Sequence, residues 1–122
     1  MLDTGSVFDG YFSDFDRNYG IGTASDESRR AYEVVFAATE AGLATARPDA
    51  TCSDLFRAMN RVLEQGGALG SDVGRFGHGL GMQLTEWPSN TIWDETVLAP
   101  GMVITLEPGM TFAPGKMMVH EE

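Results

Sequence analysis

The sequence predicts an α+β domain in which a β-hairpin leads into two helices and then into the antiparallel strands of a curved sheet. Three observations carry this expectation. Asp9-Gly10 stands between β-prone residues near the start, apolar residues recur at helical spacing up to Gly66-Gly67, and short strand-like runs in the last quarter are punctuated by Pro-Gly. At 122 residues and 13.2 kDa the chain has room for one modest core.

The elements follow in order. Leu2, Val7, Phe8, Tyr11, Phe12, Phe15 and Tyr19 supply the strands of the hairpin, and Gly20 and Gly22 close it. A helix begins after Ser25, its N-cap, with Asp26 and Glu27 in the first turn where acids complement the helix dipole. Its buried stripe is expected at Tyr32, Val35, Phe36, Thr39 and Leu43, and Pro48 ends it. A second helix starts near Thr51 or Ser53, carries Leu55, Phe56, Met59, Val62 and Leu63, and stops at Gly66-Gly67. From Gly66 to Gly81 there are seven glycines in sixteen residues, so this stretch reads as a loop or irregular strand where backbone approaches something closely. Beyond it, a short strand is expected at Met82–Thr85, a turn at Trp87–Asn90 and a strand at Met102–Glu107. Strands at Met110–Phe112 and Lys116–Glu121 then join around Pro114-Gly115.

Composition narrows the function. Apolar residues make up 43% and charged residues 21%, the range of folded domains, and no apolar run approaches a membrane span. The first twenty residues contain Asp3, Asp9, Asp14 and Asp16 and no apolar h-region, so they do not read as a signal peptide. A lone Cys52 cannot form an internal disulfide and fits a reducing, cytoplasmic setting. The net charge of −10 disfavours nucleic acid, which needs a basic stripe, and suits a site where acids gather around cations.

Two acidic groups stand out. With Asp9-Gly10 as the turn, Asp3 faces Asp16 and Gly5 faces Asp14. Asp3, Asp14 and Asp16 then share one face, with Asp3 and Asp14 diagonal neighbours roughly 7–8 Å apart at Cα. Such a patch is tolerable when solvated or when a cation sits in it. In the second half, His78 lies in Gly77-His78-Gly79-Leu80-Gly81, Glu107 ends an apolar run beside buried positions, and Glu121 sits almost opposite it. A buried carboxylate needs a partner, a proton or a metal. Two acidic pairs and an imidazole form a donor set for two borderline or hard divalent ions, Mn²⁺, Co²⁺, Zn²⁺ or Fe²⁺.

Order and spacing sharpen this. Asp3-Thr4-Gly5, then Asp14 eleven residues after Asp3 in Gly10-Tyr11-Phe12-Ser13-Asp14, then Gly77–Gly81, Gly101–Gly109 and Glu121-Glu122 follow in sequence. This pattern resembles the pita-bread metallopeptidases: Xaa-Pro aminopeptidases, prolidases, methionine aminopeptidases and creatinase relatives. The resemblance runs from Asp3 to Glu122 and covers the C-terminal part of a pita-bread domain, so residues 1–122 are expected to be a partial catalytic domain. It implies Asp3, Asp14, His78, Glu107 and Glu121 as metal ligands, with Asp14 and Glu121 bridging, and two divalent ions, Mn²⁺ foremost. It also implies an Xaa-Pro aminopeptidase-like reaction, in which a metal-bridging hydroxide removes an N-terminal residue from a peptide. Glu107 and His78 are the catalytic residues it implies, and a homodimer of the full-length parent is a partner it allows.

The chain departs from the family pattern twice. Thr85 stands where family peptidases carry a histidine before the Glu-x-Pro element formed here by Glu86, Trp87 and Pro88, and threonine cannot act as a base near neutral pH. Asp16 replaces the threonine of Asp-x-Thr-Arg, while Arg17 is kept. Asp16 has three readings: extra ligand, acceptor behind the ligands, or solvated acid. With Arg17, Thr85 and Glu86 it makes up the expected surroundings of the site. His120, beside a ligand position, reads as a strand histidine facing the other way.

These departures motivate a second reading, small-amide hydrolysis or a lyase reaction on an osmolyte-like compound. A third is a binding module or inactive fragment. A strand ending on two acids suggests a piece cut from a longer protein, a true terminus with a short edge strand being the other reading. Such a piece is expected to be poorly soluble or inactive by itself.

Overall fold

The computed structural model describes residues 1–70 and 74–122. Strands β1 (Leu2–Phe8) and β2 (Tyr11–Arg17) form the expected hairpin, with Asp3 opposite Asp16 and Gly5 opposite Asp14. Asp9 and Gly10 take φ of 50° and 85°, the left-handed pair that a tight two-residue turn requires.

Helix α1 (Asp26–Thr45) is capped by the Ser25 side chain, which accepts the N–H of Ser28. Helix α2 (Cys52–Gln65) opens with a reciprocal cap, Thr51 accepting from the Asp54 amide and Asp54 from the Thr51 amide. Its apolar face is the expected one: Leu55, Met59 and Leu63 are buried, each contributing about 1.5–3 kcal/mol.

The α1 stripe is rotated from expectation. Ala31, Val35, Ala38, Thr39 and Gly42 face inward, while Leu43 is 61% exposed and Tyr32 and Phe36 are partly exposed. The reason is close packing on α2. A Cβ at Gly42 would stand 2.9 Å from the Met59 sulfur, so small residues, not large ones, occupy the contact line.

The second half differs most. Residues 82–85 form a bend, and strand β4 is Glu86–Ser89, where a turn was expected. It pairs with β3 (His78–Gly79), and Pro88 is accommodated because β4 is ladder-bonded on one side only among the described residues. The expected strand at Met102–Glu107 is extended, but its pairing is irregular. Leu80 N–H bonds Val103 O at 3.1 Å, Thr105 N–H bonds His78 O at 2.8 Å and Glu107 N–H bonds Phe76 O at 3.1 Å. Residues 71–73 of the glycine-rich stretch lie outside the described residues. Strands β5 (Gly109–Ala113) and β6 (Lys116–Val119) close the chain, the first starting at Gly109 and the second ending before His120.

Irregular bonds join these pairs into one hydrogen-bonded surface. Leu106 and Glu122 exchange backbone bonds at 2.8 and 3.2 Å, and Asp16 N–H reaches Glu121 O at 3.4 Å. The order across it is therefore β4, β3, residues 103–107, residues 120–122, β2, β1. Both helices cover one side: Leu106 and Met110 belong to the core with Val35, Leu55 and Met59. Alternation along extended chain then sends Glu107 and Glu121 to the opposite side.

Candidate metal centre

Each acid reaches the centre through the strand period. Leu106 packs under the helices and its neighbour Glu107 faces away; His120 and Glu121 divide in the same manner. His120 is buried against α1, its Nδ1 lying 2.9 Å from Thr39 Oγ1 and its ring edge-on to Tyr32 and Phe36, on the face opposite Glu121.

The geometry brings Asp14, His78 and Glu121 together, with one ligand-capable atom of each within 4.8 Å of the others. His78 Nε2 lies 3.7 Å from Asp14 Oδ2 and 3.6 Å from Glu107 Oε1. Those gaps exceed a hydrogen bond and approach the edge of a coordination polyhedron, roughly 3.0–3.4 Å for bonds of about 2.0–2.2 Å. Glu107 Oε1 is buried and finds no hydrogen-bond partner among the described residues. An orphaned carboxylate oxygen beside an imidazole fits a divalent cation.

The imidazole is prepared for this. His78 is 3% exposed, and its Nδ1 stands 2.9 Å from the carbonyl oxygen of its neighbour Gly79. A carbonyl only accepts, so the proton sits on Nδ1 and the Nε2 lone pair faces Asp14 and Glu107. Gly77 permits the close approach: a Cβ there would stand 2.0 Å from Thr105 O and 2.4 Å from Asn90 Nδ2. The buried Asn90 amide donates to Thr105 O at 2.9 Å and holds the His78 segment on the Glu107 segment.

Charge in the centre is unbalanced. Burial first, and then Glu107, Asp14, Asp3 and Asp16, push the Glu121 carboxyl up to about 8. Burial also raises Glu107, opposed by His78 and by the guanidinium of Arg75. Asp14 is raised by burial and by Asp3. Burial and mutual repulsion thus favour the protonated forms of Glu121, Glu107 and Asp14, and a bound cation would relieve both.

The other expected residues stand outside this tight group. Asp3 is exposed on β1 and stays outside the tight group, acting on it through its charge. Asp16 is 1% exposed and is an acceptor behind the acids: its Oδ1 takes the Glu121 N–H at 3.1 Å. Arg17 bonds the carbonyls of Asp16 and Glu121 and pairs with Glu122 at 3.1 Å, tying β2 to the end of the chain. Thr85 is exposed, and Glu86 accepts the Gln83 amide at 2.7 Å, bracing the bend. Arg75, which the sequence reading passed over, has Nε 3.7 Å from Glu107 Oε1. The signal was present: it is a lone base three residues before His78 in a glycine-rich stretch.

Comparison with known proteins identifies the family and the fold. The model of metallopeptidase family M24 matches residues 1–122. An Xaa-Pro dipeptidase of Pyrococcus furiosus is 34% identical over 110 residues, 90% of this chain and 32% of that protein. The prolidase structure from Pyrococcus furiosus superposes with a TM-score of 0.90 at 32% identity, over 98% of this chain and 35% of that one. An X-Pro aminopeptidase from Thermotoga maritima gives 0.88 at 28% identity, over 98% of this chain and 34% of that one. The chain thus spans about a third of the length of these relatives. The expected pita-bread fold is the one these structures share. No helix among the described residues is long and apolar enough to cross a membrane. Matched over its whole length by the family model and by structures of the same fold, the chain belongs to metallopeptidase family M24.

Proposed function

We propose that this chain carries the metal centre of a peptidase that hydrolyses the bond before proline in Xaa-Pro substrates. In this reading Asp3, Asp14, His78, Glu107 and Glu121 would hold two divalent ions. The observation that carries it is the meeting of Asp14, His78 and Glu121 beside the unpartnered oxygen of Glu107. Such ions, when bound, would supply Lewis-acid chemistry, acidifying a water and polarising the scissile carbonyl.

The chain's own groups do the rest. His78 keeps its Nδ1 proton on Gly79 O and presents Nε2 without reorganisation. Glu107, whose carboxyl burial holds above the ordinary range, takes the proton of the attacking water on a carboxylate oxygen and returns it to the leaving amine. Asp16 and Arg17 fix the backbone at Glu121, so that carboxylate does not swing as the charge beside it changes.

Relatives named Xaa-Pro dipeptidase favour a dipeptide over a longer peptide. The test is release of proline from Xaa-Pro dipeptides, beside release of the first residue from Xaa-Pro-Yaa peptides, by the full protein in Mn²⁺ or Co²⁺. Turnover of dipeptides with metal and loss of it with chelator supports the reading; no turnover with any divalent ion overturns it. Thr85, which supplies no base where related peptidases have a histidine, favours a second reading, a non-peptide amide hydrolase or lyase on the same centre. Small amides and osmolyte-like compounds belong in the same screen.

A further inference from the structure

Arg75 enters from the glycine-rich segment beside the centre. Its Nε stands 3.7 Å from Glu107 Oε1, the buried oxygen that finds no hydrogen-bond partner among the described residues. The same oxygen is 3.6 Å from His78 Nε2. Arg75 and the imidazole thus address one oxygen from two directions. The Arg75 side chain is 34% exposed against 19% for Glu107, so the guanidinium reaches in from the rim of the centre. It is too far from Oε1 for a hydrogen bond and close enough for a Coulombic attraction that solvent screens only in part.

We propose that Arg75 is a positioning residue whose permanent charge stands in for a cation at Glu107. It holds that carboxylate in the centre when no metal is bound, and it weakens metal binding at the Glu107 position by like-charge repulsion. The inference rests on the metal-binding reading above.

The two halves of the proposal have opposite signs, and this separates it from a structural role. A residue that merely supports the loop stabilises the metal-free and metal-loaded protein alike. A stand-in cation stabilises the metal-free state and opposes the loaded one. The guanidinium carries its charge at every working pH, so the effect does not depend on protonation of Arg75.

The experiment compares the full wild-type protein with R75M and R75K. Mn²⁺ binding is followed by calorimetric titration, and melting is measured in chelator and in saturating Mn²⁺. For R75M we expect about tenfold tighter Mn²⁺ binding at one of the two positions, from loss of a partly screened repulsion. We also expect a metal-free Tm lowered by several degrees and a loaded Tm that is unchanged or higher. R75K keeps the charge and behaves as wild type. Equal lowering of both melting temperatures in R75M, or unchanged or weaker Mn²⁺ binding, overturns the proposal. Should metal-free R75M fail to fold, R75Q is compared with R75K in Mn²⁺ by dissociation rate on dilution into chelator, where slower release from R75Q supports it and equal or faster release overturns it. Failure of the wild type to bind any divalent ion is a different result, and sinks the metal reading itself.

Discussion

The carboxylate of Asp16 accepts the backbone N–H of Glu121 at 3.1 Å, so an acid on the hairpin fixes the chain at an acid of the centre. Both residues are almost wholly buried. Asp16→Ala leaves that amide without its acceptor and is expected to cost about 1–3 kcal/mol in chemical denaturation. Asp16→Asn keeps an acceptor oxygen and is expected to cost less.

Gly77→Ala is expected to damage the centre from behind. Its φ of 132° disfavours a side chain, and the added Cβ meets Thr105 O and Asn90 Nδ2 at 2.0 and 2.4 Å. Relief requires the His78 segment to leave the Glu107 segment. We expect a loss of more than about 2 kcal/mol and weakened divalent-ion binding, read by melting and by titration.

Acidity opposes metal binding here, and its sign is fixed by the direction of the shifts. Glu121, raised to about 8, and Asp14 and Glu107, also raised, hold protons in the folded state that the unfolded chain has already released. The contribution of these three groups to metal-free stability is therefore fully present below the ordinary carboxylate range and is lost as pH rises through about 4.5 to about 8, by a few kcal/mol. Divalent ions are expected to cancel the fall and to bind with proton release, measured as Tm against pH with and without Mn²⁺ and as buffer-dependent binding heat.

Glu107→Gln keeps the shape of the side chain and removes its charge. Metal content of the purified full protein is expected to drop from two ions per chain towards one, and proline release from Xaa-Pro dipeptides to fall at least about 100-fold. Elemental analysis and a single turnover assay check both.

Much of this architecture is written in local signals. Asp9-Gly10 sets the hairpin register, and with it the approach of Asp3 and Asp14, because only one pairing satisfies that turn. The large apolar residues of α2 mark its buried face directly. Helix α1 misleads because its buried face carries Ala31, Ala38 and Gly42, the last against Met59 of α2, and smallness is invisible to a search for bulky side chains. Trp87-Pro88 looks like a turn, yet an outer strand tolerates proline, so β4 forms there.

The centre shows the same division. His78, Glu107 and Glu121 could be singled out because each stands where an apolar or glycine pattern breaks. Choosing among the three readings of Asp16 required knowing that Glu121 folds back upon it, a contact across 105 positions of chain. Arg75 escaped notice because a glycine-rich stretch draws attention to its backbone and away from its one base.

The rings of Phe56 and Phe76 stack with centroids 4.6 Å apart and planes 9° from parallel. Phe76 is also the residue whose carbonyl receives the Glu107 amide, two positions before the imidazole. The helical layer is thus bolted to the chemistry by one aromatic sandwich. Heat that loosens the second helix is therefore expected to disturb the backbone around His78 and Glu107 in a single event.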